Sequence, residues 1–261
     1  DVYSPGAVRF VLERQFGYPV VPIRTRTLVN ADLNRFDVVI LPDESSYRGG
    51  SYSGVLGETG KSNLADWVAD GGVLVTLAGG TEWAAHPDVD LLAFRAEHQV
   101  RESDDEAAAD DSDEEARVPG TRIESAEQFE QMAQPKQENP DSVAGVLVRA
   151  EVDPDHWLAA GVAETVNVLV RGDRVFAPMK RDQGRNVARF APADELLASG
   201  YMWQENRKQM AFKPFVVTQN HGRGLVVGFT EDPVVRAYLD GLNMLLLNAV
   251  LRAPSYSSKL R

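Results

Sequence analysis

The chain has 261 residues, 43% of them apolar, so it can bury a substantial core, and its formal net charge is −12. That charge disfavours phosphate backbones and anionic lipid surfaces, and the absence of cysteine rules out disulfides, thiolate metal ligands and a cysteine nucleophile within these residues. No apolar run reaches the length of a transmembrane helix; the longest, Leu242 to Leu251, is interrupted by Asn243 and Asn248.

In chain order, Ser4-Pro5 reads as a helix start. Val8, Val11, Leu12 and Phe16 recur at helical spacing before Gly17. Pro19 to Arg24 is a short apolar run with strand character, and Phe36 to Leu41 is a second, continuous strand expected in the centre of a sheet. A strand ahead of Tyr3 is expected by the same alternation. Glu44 to Gly60 reads as a Ser-, Tyr- and Gly-rich loop beyond the carboxyl end of that second strand. A helical face of Leu64, Trp67 and Val68 stops at Gly71-Gly72. The buried strand Val73 to Leu77 follows and runs into the turn Ala78-Gly79-Gly80-Thr81 and another helix. Ligands and nucleophiles sit at such carboxyl ends in open α/β sheets, so this turn is the first candidate site.

Leu91 to His98 reads as a short helix. Residues 101–118 read as an acidic, disordered insertion: Glu102 to Glu115 holds nine acidic residues and no basic one, leaving the rest of the chain nearly balanced. A polar connector with a helix at Ala126 to Met132 follows. Strands are then expected at Gly145 to Val152, Val166 to Val170, Asn186 to Phe190, Ala211 to Thr218 and Gly224 to Phe229, closely spaced and so partly antiparallel. A closing helix runs from Val234 to Leu251. The fold class is therefore α/β in three layers, a mostly parallel sheet with an antiparallel extension in the second half, read as one domain over 1–261.

Four segments carry a resemblance: DPDHWLAAG at 153–161, NVARFAP at 186–192, ASGYM at 198–202 and GFTEDPVVRAYLDGLNMLLLNAV at 228–250. With the strand FDVVILPD and the Gly49-Gly50 loop, the chain resembles a class I glutamine amidotransferase-like domain of flavodoxin-like architecture. It looks most like the version found after the catalytic domain of bacterial zinc carboxypeptidases. That resemblance implies an N-terminal peptidase domain in the same polypeptide, zinc in that domain and not here, a secreted or periplasmic location, and a role beside peptide or cell-wall substrate. In amidotransferases the elbow carries a cysteine and a histidine follows the last parallel strand. Here the corresponding stretches are Ala78-Gly79-Gly80-Thr81 and Phe229-Thr230-Glu231-Asp232-Pro233, with neither group, so the resemblance implies a pseudoenzyme without glutaminase activity.

Three readings follow. The first is a non-catalytic accessory domain of a metallocarboxypeptidase, with no cofactor of its own. The second is an independent module for a small ligand, glycan or peptide, with a pocket among Ser45, Gly49, Gly50, Gly79, Gly80, Thr81, Glu82 and Glu231. The third is a serine-type hydrolase with Ser45, Ser46 or Thr81 as nucleophile, His221 as base and Glu231 as orienter. His221 stands in a plain hairpin turn, and none of the four histidines has a glutamate three residues on, so no His-x-x-Glu zinc pair exists. His86, Asp88 and Asp90 lack a partner cluster. His156-Trp157 reads as a loop anchor, and Trp83 and Trp203 as core residues or stacking platforms.

Overall fold

The computed structural model describes residues 3–44, 51–100 and 140–258. The acidic insertion at 101–118, the helix at 126–132 and Ser45 to Gly50 lie outside the described residues.

Helix α1 (Tyr3–Arg9) continues as a π-helical turn, Phe10–Gln15, and closes at Gly17 with φ +65°. The run from Pro19 to Arg24 is not a strand. Pro19 and Pro22 remove two donors, and among the described residues no strand pairs with it. After a short helix α2 (Thr25–Leu28), strand β1 (Val38–Leu41) pairs parallel with β2 (Val73–Leu77), and β2 pairs parallel with β8 (Gly224–Phe229). Among the described residues β1 is the edge of the sheet, not its centre; an apolar run reports burial and not the number of neighbours.

The other strands are β3 (Val143–Val152), β4 (Thr165–Gly172), β5 (Arg185–Phe190), β6 (Leu197–Ser199) and β7 (Pro214–His221). The order is β1-β2-β8-β7-β5-β3-β4, with β6 against β3. Every pair beyond β8 is antiparallel, as the close spacing of the strands and their turns anticipated. Helices α3 (Tyr52–Ala69), α4 (Gly79–Ala85), α5 (Gln204–Met210) and α6 (Asp240–Leu251) complete the described elements used below. Leu91 to His98 forms bends and one isolated bridge, Ala96 to Phe176, instead of a helix, because its backbone pairs with the segment after β4.

Alternation along β2 builds the layers. Val73, Val75 and Leu77 face a core with Val8, Val11 and Leu12 of the first helical segment and Leu242, Leu245, Leu246 and Ala249 of α6. Leu74 faces the opposite core with Leu64, Trp67 and Val68 of α3 and Trp83 of α4. This is the three-layer flavodoxin and class I amidotransferase-like α/β fold. At the end of α3, Gly71 N–H donates to the Val68 carbonyl and Gly72 N–H to that of Trp67, the paired capping bonds the glycines suggested. A Cβ at Gly72 would sit inside the Trp67 ring, so the second glycine is also demanded by packing. The closing helix is split: Arg236 and Ala237 take positive φ before α6 begins.

No described helix is long and apolar enough to cross a membrane.

Candidate functional site

The carboxyl ends of β1, β2 and β8 lie together because the three strands are parallel and in register, Leu41 opposite Thr76 opposite Gly228. Each strand delivers a short polar segment there: Asp43 and Glu44 after β1, the Ala78 to Glu82 turn after β2, Glu231 and Asp232 after β8.

The turn has the backbone of a nucleophile elbow, with its apex at Ala78. Ala78 adopts φ 47°, ψ −111° between strand and helix, a region an L-residue occupies at a cost of about 1–3 kcal/mol. Its N–H donates to the Phe229 carbonyl at 2.8 Å and Glu82 N–H returns to the Ala78 carbonyl at 3.0 Å, which holds the bend. The residue in the nucleophile's position carries only a methyl group, and that methyl is buried. Gly79 and Gly80 are there for clearance. A Cβ on Gly80 would lie 2.7 Å from the Leu41 carbonyl oxygen, and one on Gly79 2.9 Å from Asp43 Oδ1.

Asp43 is the hub. Its Oδ1 accepts from Gly79 N–H at 2.8 Å, and its own N–H donates to Ser4 Oγ at 3.0 Å, tying the start of α1 to the elbow. Glu44 accepts from Tyr52 N–H, and the Tyr52 hydroxyl donates to the Pro42 carbonyl at 2.9 Å. Thr81, proposed from sequence as a site residue, is fully buried behind the turn. Its hydroxyl donates to the Phe229 carbonyl at 2.7 Å and lies 2.9 Å from that of Thr76. It locks β2 to β8 and offers nothing to a ligand. Glu82 is exposed on the first turn of α4, and Glu231 is 4% exposed.

The residue the sequence did not flag is Arg174, which follows β4 at the far end of the sheet order. The segment after β4 brings its guanidinium to 3.9 Å from Asp43 Oδ1 and 3.7 Å from Glu231 Oε2, ion-pair distances too long for hydrogen bonds. Among the described residues its buried Nε has no hydrogen-bond partner. Nothing local in Gly172-Asp173-Arg174 marks it; it reads as a hairpin turn.

Burial pushes the Glu231 carboxyl up to about 8, against the pull of Arg174, with Asp43 adding to the rise. Burial likewise raises Asp232, opposed by the Ser4 hydroxyl and the Val234 N–H. It also raises Glu44, opposed by the Tyr52 N–H and reinforced by the Glu82 and Asp43 charges. For Arg174 burial works against the charge, yet Glu231, Asp43 and Glu82 outweigh it and hold the group cationic. The crevice therefore combines the Arg174 guanidinium, the Asp43 side chain and the Glu231 carboxyl group, whose hold on its proton burial strengthens.

The structure thus brings Gly79, Gly80, Glu82 and Glu231 together; Ser45, Gly49 and Gly50 lie outside the described residues. His221 is elsewhere. It ends β7, paired with Gly224 at the amino end of β8, a full strand of roughly 17 Å from the carboxyl-end crevice. With Thr81 as nucleophile the hydrolase reading is corrected accordingly, because a base must lie within hydrogen-bond reach of its nucleophile; Ser45 and Ser46 lie outside the described residues. His156 anchors its loop, Nδ1 accepting from Leu158 N–H at 3.2 Å, and Trp157 stacks on Tyr256 at 4.6 Å between centroids. Trp83 is core, while Trp203 is exposed against Tyr201. Among the described residues no group of three or more His, Asp or Glu side chains is placed to hold a metal ion.

No protein-family profile and no curated protein matches the chain. Solved structures do. A protein of Parabacteroides merdae described as ThuA-like is 13% identical and superposes with a TM-score of 0.57 over 100% of this chain and 87% of its own. A cytoplasmic protein of Salmonella typhimurium is 14% identical at 0.53, over 95% and 85%. A ThuA-like protein of Bacteroides uniformis is 10% identical at 0.51, over 94% and 80%. At these identities the likeness concerns the fold. It corrects the carboxypeptidase-linked identity read from the sequence: the structures that share the fold along the chain are ThuA-like and cytoplasmic proteins, not carboxypeptidase domains.

Proposed function

We propose that this chain is a ligand-binding module that holds a neutral, hydroxyl-rich small molecule, a monosaccharide or glycan end, in the crevice between Asp43, the Gly79-Gly80 turn, Arg174 and Glu231, without reacting with it. The observation that carries the reading is Arg174. Its guanidinium stands between two carboxyl groups at 3.7 and 3.9 Å, too far for hydrogen bonds to either, and among the described residues its Nε has no partner, so the guanidinium's donors remain to be met.

The mixture of charges selects the ligand. Phosphate or carboxylate ligands would meet Asp43, Glu44 and Glu82, and cations would meet Arg174. A vicinal diol suits both, donating to Asp43 and accepting from the guanidinium. Neutral Glu231 adds one O–H donor. Absence of turnover follows from Ala78, whose methyl group stands where an elbow presents its nucleophile, and from Thr81, whose hydroxyl is committed to the Phe229 carbonyl.

Titration calorimetry at pH 7 with mannose, glucose, inorganic phosphate and ethylamine tests this. Binding of a neutral sugar at millimolar Kd or tighter, about −4 kcal/mol or better, weakened at least tenfold by Arg174→Ala, is the expected result. Preference for phosphate or for the amine, or sugar binding indifferent to Arg174, would overturn the assignment.

A further inference from the structure

Trp203 stands out in the sequence beside a glycine turn, and the crevice leaves it unused. Trp203 and Tyr201 are 56% and 64% exposed, and their rings stand 5.1 Å apart between centroids at 82°, an open right-angled corner on the surface. We propose that this corner is a pyranose subsite, where a sugar ring lays its C–H face on one aromatic ring and is walled by the other, and that corner and crevice take successive parts of one glycan. A single sugar is held chiefly by the crevice, and the corner adds the grip on a longer chain. Sharing one glycan rests on the sugar reading of the crevice; stacking at the corner does not depend on it.

The mount of the two rings is fixed. Met202 between them is buried, so the rings on either side are sent outward. Arg207 Nε donates to the Met202 carbonyl at 3.2 Å and Arg207 N–H to the Trp203 carbonyl at 3.1 Å, which ties the segment to the first turn of α5. Ahead of it Gly200 takes φ +99°, and a Cβ there would lie 3.0 Å from Val146 Cγ1, so the chain passes tight against β3 before it turns out. Rings held in this way lose little freedom when a ligand arrives.

Size and charge choose the occupant. The residues that flank the rings, Ser199 and Gly200 before and Gln204 and Glu205 after, are exposed, which confines the apolar surface to the pair. Two aromatic side chains can bury about 150–250 Å² each. That is short of the roughly 800 Å² per partner of a stable protein interface and suits a single ring. A nucleobase also stacks, but it brings phosphate to a chain of net charge −12. A pyranose has the apolar face the rings need and a hydroxyl edge that the Gln204 amide and Glu205 carboxylate can meet. Position then joins corner to crevice. Gly200 lies against Val146, Val146 stands opposite Val170 in the β3–β4 ladder, and Arg174 follows Val170 by one short turn of chain. Two strand spacings of about 4.8 Å therefore put Gly200 roughly 10 Å from β4, at the end of the sheet that holds Arg174. A short oligosaccharide covers that span and a monosaccharide does not.

Calorimetry and tryptophan fluorescence at pH 7 with glucose, cellotetraose and tetraproline test this, on the unaltered chain and on Trp203→Ala, Trp203→Phe and Arg174→Ala. Cellotetraose is expected to bind at least tenfold tighter than glucose and to quench the emission that Trp203→Phe removes. Trp203→Ala is expected to abolish the tenfold gain, and Trp203→Phe, which keeps an aromatic face, to hold it within threefold. In Arg174→Ala the quenching by cellotetraose persists. Affinity that does not grow with chain length, or a gain indifferent to Trp203→Ala, overturns the subsite and leaves the crevice reading untouched. Quenching by tetraproline in preference to cellotetraose overturns it as well, and assigns the corner to a peptide. Quenching by cellotetraose without any binding of glucose upholds stacking at the corner and overturns both the crevice reading and the shared glycan.

Discussion

Replacing Glu231 by Gln isolates the burial that shapes the crevice. The side chain is 4% exposed, and its pKa lies at about 8 against an ordinary 4.5. A folded-state value above the unfolded one means that the folded protein binds the proton more tightly. The contribution is intact below pH 4.5 and is lost as pH rises through about 8. At about 1.4 kcal/mol per unit, the full loss approaches 5 kcal/mol, and with Arg174 and entering water compensating the new charge we expect about 2–5 kcal/mol. Gln keeps the shape of the neutral acid and cannot ionise. Urea unfolding of both proteins at pH 5 and pH 8.5 reads the difference. At pH 5 they should agree within about 1 kcal/mol, and at pH 8.5 the Gln variant should be more stable by the amount above. Raised Glu44 and Asp232 change both proteins alike and cancel in the comparison. A gap that does not widen with pH, or a Gln variant less stable at pH 8.5, would mean that Glu231 is ionised against Arg174, and the reasoning fails.

Gly80→Ala drives a Cβ to 2.7 Å from the Leu41 carbonyl oxygen and should cost about 1–3 kcal/mol in urea unfolding, whereas Gly6→Ala, with nothing within 4 Å of its Cβ, should be neutral or stabilise by about 0.5–1 kcal/mol. Thr81→Val takes the buried Thr76 hydroxyl's partner away and one of two donors from the Phe229 carbonyl, which keeps the Ala78 N–H, and should cost about 1–3 kcal/mol while leaving sugar affinity within twofold, a result that separates it from Arg174→Ala. Asn248 Nδ2 donates to the Leu158 and Ala160 carbonyls at 2.9 and 2.8 Å. Asn248→Leu should therefore lower Tm by several degrees and leave the crevice intact.

Local chemistry explains what the sequence disclosed. β2 occupies the Val73 to Leu77 span expected of it because a strand covered on both faces is a continuous apolar run with glycine stops, and all five residues are buried. The cap of α3 was legible for the same reason: two adjacent glycines have few other uses at the end of a helical face. Pairing was less legible. Phe36 to Leu41 looks central because it is a nearly continuous apolar run, but in the fold only Val39 and Leu41 are buried while Val38 and Ile40 are half-buried, and the number of hydrogen-bonded neighbours is a property of the other strands. Pro19 to Arg24 has strand composition, yet a strand needs something to pair with. At the site, sequence located the turn within Ala78 to Thr81 without fixing its apex; the fold places the unusual φ on Ala78 and uses Gly79 and Gly80 for close approach. Arg174 and Asp43 are 131 positions apart. The segment after β4, which bridges through Phe176 to Ala96 and packs in the core beside β1 and β2, brings them together, and no pattern within either segment records it.

The central claim is that the carboxyl-end crevice binds a neutral polyol, and mapping the amide shifts of the 15N-labelled chain during a mannose titration tests it most directly. The account predicts saturable shifts concentrated at Asp43, Ala78 to Glu82, Arg174 and Glu231, with the amides around His221 unmoved. Saturable shifts centred anywhere else on the molecule, or none up to 50-fold the concentration that corresponds to about −4 kcal/mol, would contradict it.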